Sequence, residues 1–95
     1  MSFAFLLMGN FGSQKDRAVL EGKDVQVIGV ADLQQACAVA KELYGQGIGC
    51  IELCGAFGET GAKAVIEATE NQVPVGFVTH FPQQDELFAK AFPNG

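Results

Sequence analysis

At 95 residues the chain has the length of one small domain, since domains typically run to about 100–150 residues, and residues 1–95 are read as a single α/β unit. Its 48% hydrophobic and 18% charged content, with mean hydropathy +0.20, excludes a disordered tail, which needs low hydrophobicity and high charge. A net charge of −5, a pI near 4.6 and six scattered basic residues argue against a nucleic-acid partner, because phosphate backbones are held by clustered Lys and Arg. No apolar run approaches the roughly 18 residues of a membrane span, so no membrane partner is expected. The apolar start, Met1 to Met8, lacks a basic leader and a small-residue cleavage site, so no signal peptide is expected. Three Cys without such a signal fit reduced thiols and a cytoplasmic location.

Taken in chain order, the first element is the β-rich run Phe3–Met8. A Gly-rich loop follows, Gly9-Asn10-Phe11-Gly12-Ser13, and then a weak helical pattern over Ser13 to Glu21 with Ser13 as cap and Gly22 as stop. Val25 to Val30 reads as the second strand. Asp32 is a good N-cap, and Leu33, Ala36, Cys37, Ala40, Leu43 and Tyr44 then recur on one face of a helix, which Gly45 or Gly47 ends. Ile48 to Cys54 is the third strand. Its loop, Gly55-Ala56-Phe57-Gly58-Glu59-Thr60-Gly61, opens a helix near Thr60 that turns Ala62, Val65, Ile66 and Thr69 inward. Val73 to Thr79 is the fourth strand, with Pro74 tolerable only near its start. A last helix, Gln84 to Phe92, puts Leu87, Phe88, Ala91 and Phe92 on one stripe.

The strand runs start about 22 to 25 residues apart and are mostly continuous, as suits parallel strands covered on both faces. Four βα units with short loops imply a parallel sheet with right-handed crossovers. The expected architecture is a three-layer open sheet with strand order 2-1-3-4, a shortened flavodoxin-like fold. The competitor is a four-unit half-barrel that pairs with a second copy.

In open α/β sheets ligands sit beyond the carboxyl ends of the strands, where strand order reverses. With order 2-1-3-4 that crevice lies between strands one and three, at the two Gly-rich loops. Each loop opens a helix, so unpaired N–H groups would face an anion. Asn10, Ser13, Gly55, Phe57, Gly58 and Thr60 are the candidate ligand-binding residues; the plainer reading of these loops is tight strand-to-helix turns. Phe11 and Phe57 are placed to clamp an apolar part of a ligand or to pack on each other. Neither loop matches a dinucleotide or Walker A phosphate pattern, so no cofactor is expected.

Glu52, Cys54 and His80 are the candidate catalytic residues. A carboxylate within an interior strand must be paired, protonated or near the sheet's exposed end, and such a group suits proton transfer. Glu52 and Cys54 share one face of their strand. His80 ends the fourth strand, where a Glu–His or Cys–His pair would do proton-transfer or nucleophilic chemistry; the alternative is a loop-capping imidazole before Phe81-Pro82. No metal site is expected, because Cys50 and Cys54 stand about 13 Å apart along a strand. Cys37, on the inward face of its helix, reads as core packing.

Ile51-Glu52-Leu53-Cys54-Gly55-Ala56-Phe57-Gly58, with the helix and Val73-Pro74-Val75-Gly76 after it, resembles a family of small bacterial proteins of unknown function and similar length. The resemblance spans most of the chain and implies a compact α/β protein without an assigned reaction. The same segment is more loosely similar to the Cys loops of aspartate/glutamate racemases, whose second catalytic half has no counterpart here.

The preferred expectation is a small anionic metabolite bound at the carboxyl edge of the sheet. The enzyme alternative is a cofactor-independent lyase or isomerase in which Glu52 or Cys54 moves a proton with help from His80. The third is a structural or partner-binding module that acts through the Phe-rich last helix. An uncovered sheet edge and apolar helix faces lead us to expect a homo-oligomer, a homodimer in the simplest case.

Overall fold

Strand β1 (Phe3–Met8) alternates between two environments. Ala4 and Leu6 are fully buried, whereas Phe3, Phe5 and Leu7 are only half-buried. That period of two gives the sheet a dry face and an open one, and the rest of the chain is arranged around this division. The structure, a computed structural model, describes residues 2–20, 22 and 24–93.

The other strands are β2 (Arg17–Val19), β3 (Val25–Val30), β4 (Cys50–Leu53) and β5 (Val75–Phe77). They form one sheet in the order β2-β3-β1-β4-β5. β1 lies parallel to β3 and β4, and β4 parallel to β5; β2 alone is antiparallel, on β3. Phe5 stands opposite both Val27 and Glu52, and Glu52 opposite Gly76, so these four share the open face.

Helix α1 (Leu33–Gly45) starts where the sequence says it should: the Asp32 side chain accepts a hydrogen bond from the Gln35 N–H at 2.8 Å. It ends when Gly47 turns to φ +82 and the Ile48 N–H returns to the Leu43 carbonyl, a left-handed stop that favours glycine. Helix α2 (Gly58–Ala68) packs on α1. Crossovers from β3 to β4 and from β4 to β5 run in the same direction across the sheet, so equal handedness sets both helices on one face. Ala36, Val39, Ala40, Leu43, Ala62 and Val65 there close over Ala4, Leu6, Ile28, Val30, Ile51 and Leu53. Deleting any of the Leu or Ile side chains in this cluster would cost about 2–5 kcal/mol.

Two expectations are corrected. The segment read as a first helix, Ser13 to Glu21, makes a single turn and then becomes β2 (Glu21 itself lies outside the described residues). The Gly12 N–H is held by the Asp16 carboxylate at 2.7 Å, and the Gly12 carbonyl by the Lys15 and Asp16 N–H groups. That closes the turn and frees Arg17–Val19 to pair with the edge of β3, which would otherwise present open N–H and C=O groups. The unit count therefore falls from four βα units to three. The third layer also differs. Among the described residues no core helix covers the open face, and α3 (Asp85–Ala91), entered through a 3₁₀ turn at Pro82–Gln84, contains no buried residue. The described residues thus form a compact α/β protein with a five-stranded, mostly parallel sheet and three α-helices.

Candidate functional site

β1, β4 and β5 run in one direction and end side by side at Met8, Leu53 and Phe77. Beyond those ends a cleft of about 980 Å³ opens. Met8 and Leu7 supply one wall, Cys54 and Gly55 the floor, and Val78, Thr79 and His80 a second wall. Phe11 closes one side, and Phe88 of α3 and Phe92 at its C-terminal cap hang over the top. Glu59, in the first turn of α2, is the carboxylate on the rim.

The sequence candidates divide. Cys54, Gly55, Gly58 and His80 line the cleft. Asn10 and Thr60 are exposed outside it, and Ser13 and Phe57 are buried beneath it. Phe57 belongs to the core, its ring packed so closely on α2 that a Cβ at Gly61 would come within 3.0 Å of the Phe57 Cβ. Ser13 is tied down through its backbone: its N–H donates to Gln35 Oε1 at 3.0 Å, and its carbonyl accepts from the Arg17 guanidinium. Glu52 is on the open sheet face below the cleft, where Oε1 accepts from the Cys50 thiol at 3.5 Å.

Cys54 receives the Met8 N–H on its sulfur at 3.4 Å, which ties the end of β4 to that of β1. Burial, with the Glu52 carboxylate as hydrogen-bond acceptor and neighbouring charge, pushes the Cys50 thiol up from its usual range. Cys37, beside α2, is also raised, chiefly by burial.

His80 is held by two contacts to α3. Its Nε2 lies 2.8 Å from Asp85 Oδ1, and its ring stacks on Phe88 at 3.8 Å between centroids and 5° between planes. Sequence reasoning missed Asp85 and Phe88 as partners of His80. Their i, i+3 spacing on a helix was the available signal, because it sets carboxylate and ring on the side that faces the end of β5. Among the described residues no group of three or more His, Cys, Asp or Glu side chains could hold a metal ion. No helix among them is long and apolar enough to cross a membrane.

Sheet, helices and cleft define a small α/β protein with a cavity at the carboxyl ends of its parallel strands. The chain matches a family of unknown function, DUF6506, over residues 1–93, and it belongs to that family. Comparison with the curated proteins finds no match, and comparison with the solved structures finds none.

Proposed function

We propose that the protein binds a small anionic metabolite in the cleft beyond β1, β4 and β5. The observation that carries this reading is the cleft's position, at the carboxyl ends of parallel strands and beside the β1–β4 boundary where strand order reverses, the usual ligand site of open α/β sheets. The four parallel strands are read as a shortened flavodoxin-like plan. α2 supports an anionic head group, since its N-terminus has no side-chain cap and opens beside Gly55 and Gly58; free N–H groups and the helix dipole favour negative charge there. Glu59 is exposed and long enough to swing aside. We place the protein in the cytoplasm as a homo-oligomer.

A thermal-shift screen of the full chain against a panel of carboxylates and phosphorylated metabolites tests this. A saturable stabilisation lost in Gly55→Trp, which fills the floor, supports the reading; a flat panel overturns it.

An enzymatic role as a cofactor-independent lyase or isomerase is the second reading, favoured by Cys54 and His80 lining one cavity. A partner-binding role is the third, favoured by the exposed Leu87, Phe88 and Phe92 of the last helical segment.

A further inference from the structure

α3 is an unusual helix for a small domain. Leu87 is 57% exposed and Phe88 41%, and Phe92 at the helix's C-terminal cap is 62% exposed, although packing this segment on the sheet would bury all three. The carboxyl end of the sheet, past Glu52, is apolar. Leu7 points to the open side by its register with Gly29, Cys54 and Val78 come directly after the ends of β4 and β5, and all three line the cleft. The cleft is therefore the gap between α3 and the carboxyl ends of the strands. It has the size of a whole ligand, since pockets for drug-sized molecules measure about 300–1,000 Å³.

His80 keeps that gap open. It grips α3 at two points one turn apart, Asp85 through Nε2 and Phe88 through ring stacking. Both contacts come from a residue just past β5, so α3 is fastened there while none of its own residues is buried. The walls then decide what enters. Phe11, Phe77, Phe88 and Phe92 give flat apolar surfaces, Leu7 and Met8 a flexible one, and among the described residues neither Lys nor Arg lines the cleft. Attraction for a bare anion is limited to backbone N–H groups opposed by Glu59.

We infer that the occupant is a flat, mostly apolar small molecule clamped between the carboxyl end of the sheet and α3, with His80 as the positioning residue that holds α3 in place. This rests on the small-molecule reading above and adds that the apolar body, more than the head group, supplies the affinity.

Four probes separate the two claims on the full chain. 2-Naphthol and 2-naphthoate share a flat ring body and differ in charge, whereas acetate and inorganic phosphate carry charge without a body. Both naphthyl compounds should saturably move the amide resonances of Gly55, Val78 and Phe88, with dissociation constants within about tenfold of each other, and acetate and phosphate should leave them unmoved at the same concentration. Saturation by phosphate or acetate but by neither naphthyl compound overturns the inference and leaves the anion reading standing. If none of the four moves these resonances, both fall. If naphthyl binding weakens as protein concentration rises while the chain dimerises, α3 is covered by a second copy and the inference is overturned.

Asp85→Asn tests the fastening. It should speed 2-naphthoate dissociation about threefold or more and lower the heteronuclear NOE at Phe88, while amide protection in β1 and β4 stays unchanged and shows the fold intact. Lys90→Ala, on the same helix, should change neither readout. An Asp85→Asn protein with unaltered dissociation and unaltered NOE removes His80 from this role.

Discussion

The bare backbone of Gly76 is the berth of the Glu52 carboxylate. The two residues stand opposite each other in the β4–β5 register, and a Cβ built on Gly76 would come 2.7 Å from Glu52 Oε2 and 3.2 Å from Cδ. A side chain at 76 would force the carboxylate off its resting place on the open face. Gly76→Ala should therefore destabilise the protein by about 1 kcal/mol. The loss should shrink to a few tenths in the Glu52→Ala background, where the head group is gone. A double-mutant cycle by urea denaturation reads the coupling, and additive losses would refute it.

Gly29 and Gly55 should differ sharply in their response to the same change. A Cβ at Gly29 would meet Phe11 Cγ at 2.6 Å and Phe11 Cβ at 2.7 Å, atoms next to the backbone that cannot swing clear. Gly29→Ala should cost about 1–3 kcal/mol and push Phe11 from the side of the cleft. At Gly55 the nearest atom is the Val78 carbonyl oxygen at 3.7 Å, an ordinary contact, so Gly55→Ala should stay within about 0.5 kcal/mol. Thermal melts of the two variants decide it.

Gln35 joins the first loop to α1. Its Oε1 accepts from the Ser13 N–H at 3.0 Å and from the Ala31 N–H at 2.9 Å. Ser13 is buried, so Gln35→Ala leaves a donor without a partner and should cost about 1–3 kcal/mol. Gln35→Glu keeps the acceptor and should cost under about 1 kcal/mol. Equal losses in the two variants would show that packing, not the accepted bonds, fixes the loop.

The four parallel strands and α1 were legible because their signals are local. Continuous apolar runs mark the strands, and Asp32 with the 3.6-residue stripe after it marks the helix. β2 was not legible, since Arg17-Ala18-Val19 has no strand pattern of its own and becomes one only because the edge of β3 is there to pair with it. In the site, the end-of-strand positions of Cys54, Gly55 and His80 followed from strand direction alone. Ser13 and Phe57 did not: a loop residue's chain position leaves open whether it faces the cavity or the core, and that depends on Gln35 and on α2. The amphipathic stripe of the last helix told that Leu87, Phe88 and Phe92 share a side, but a stripe does not say how far from its sheet a helix stands.

The thiols should titrate late. Cys37 and Cys50 are both held above their usual range, burial being the main cause in each, with the Glu52 carboxylate adding to it at Cys50. The protonated form therefore persists to higher pH in the folded chain than in the unfolded one. Its stabilising share is complete below the unfolded thiol value, about 8.5, and is lost as pH rises through the folded values. Urea midpoints should fall above that pH for the native chain and fall less for Cys37→Ser/Cys50→Ser. Iodoacetamide should label both thiols more slowly at pH 7.5 than in a denatured control; matching rates would contradict the shift.

Both outermost strands, β2 and β5, are only three residues long, and Pro74 immediately precedes the second. A strand arriving from another molecule would find too few hydrogen-bonding groups on either flank to hold its register. Stacking of molecules flank to flank into a fibril is thereby discouraged, a safeguard for a chain whose central strands are rich in aliphatic and aromatic side chains.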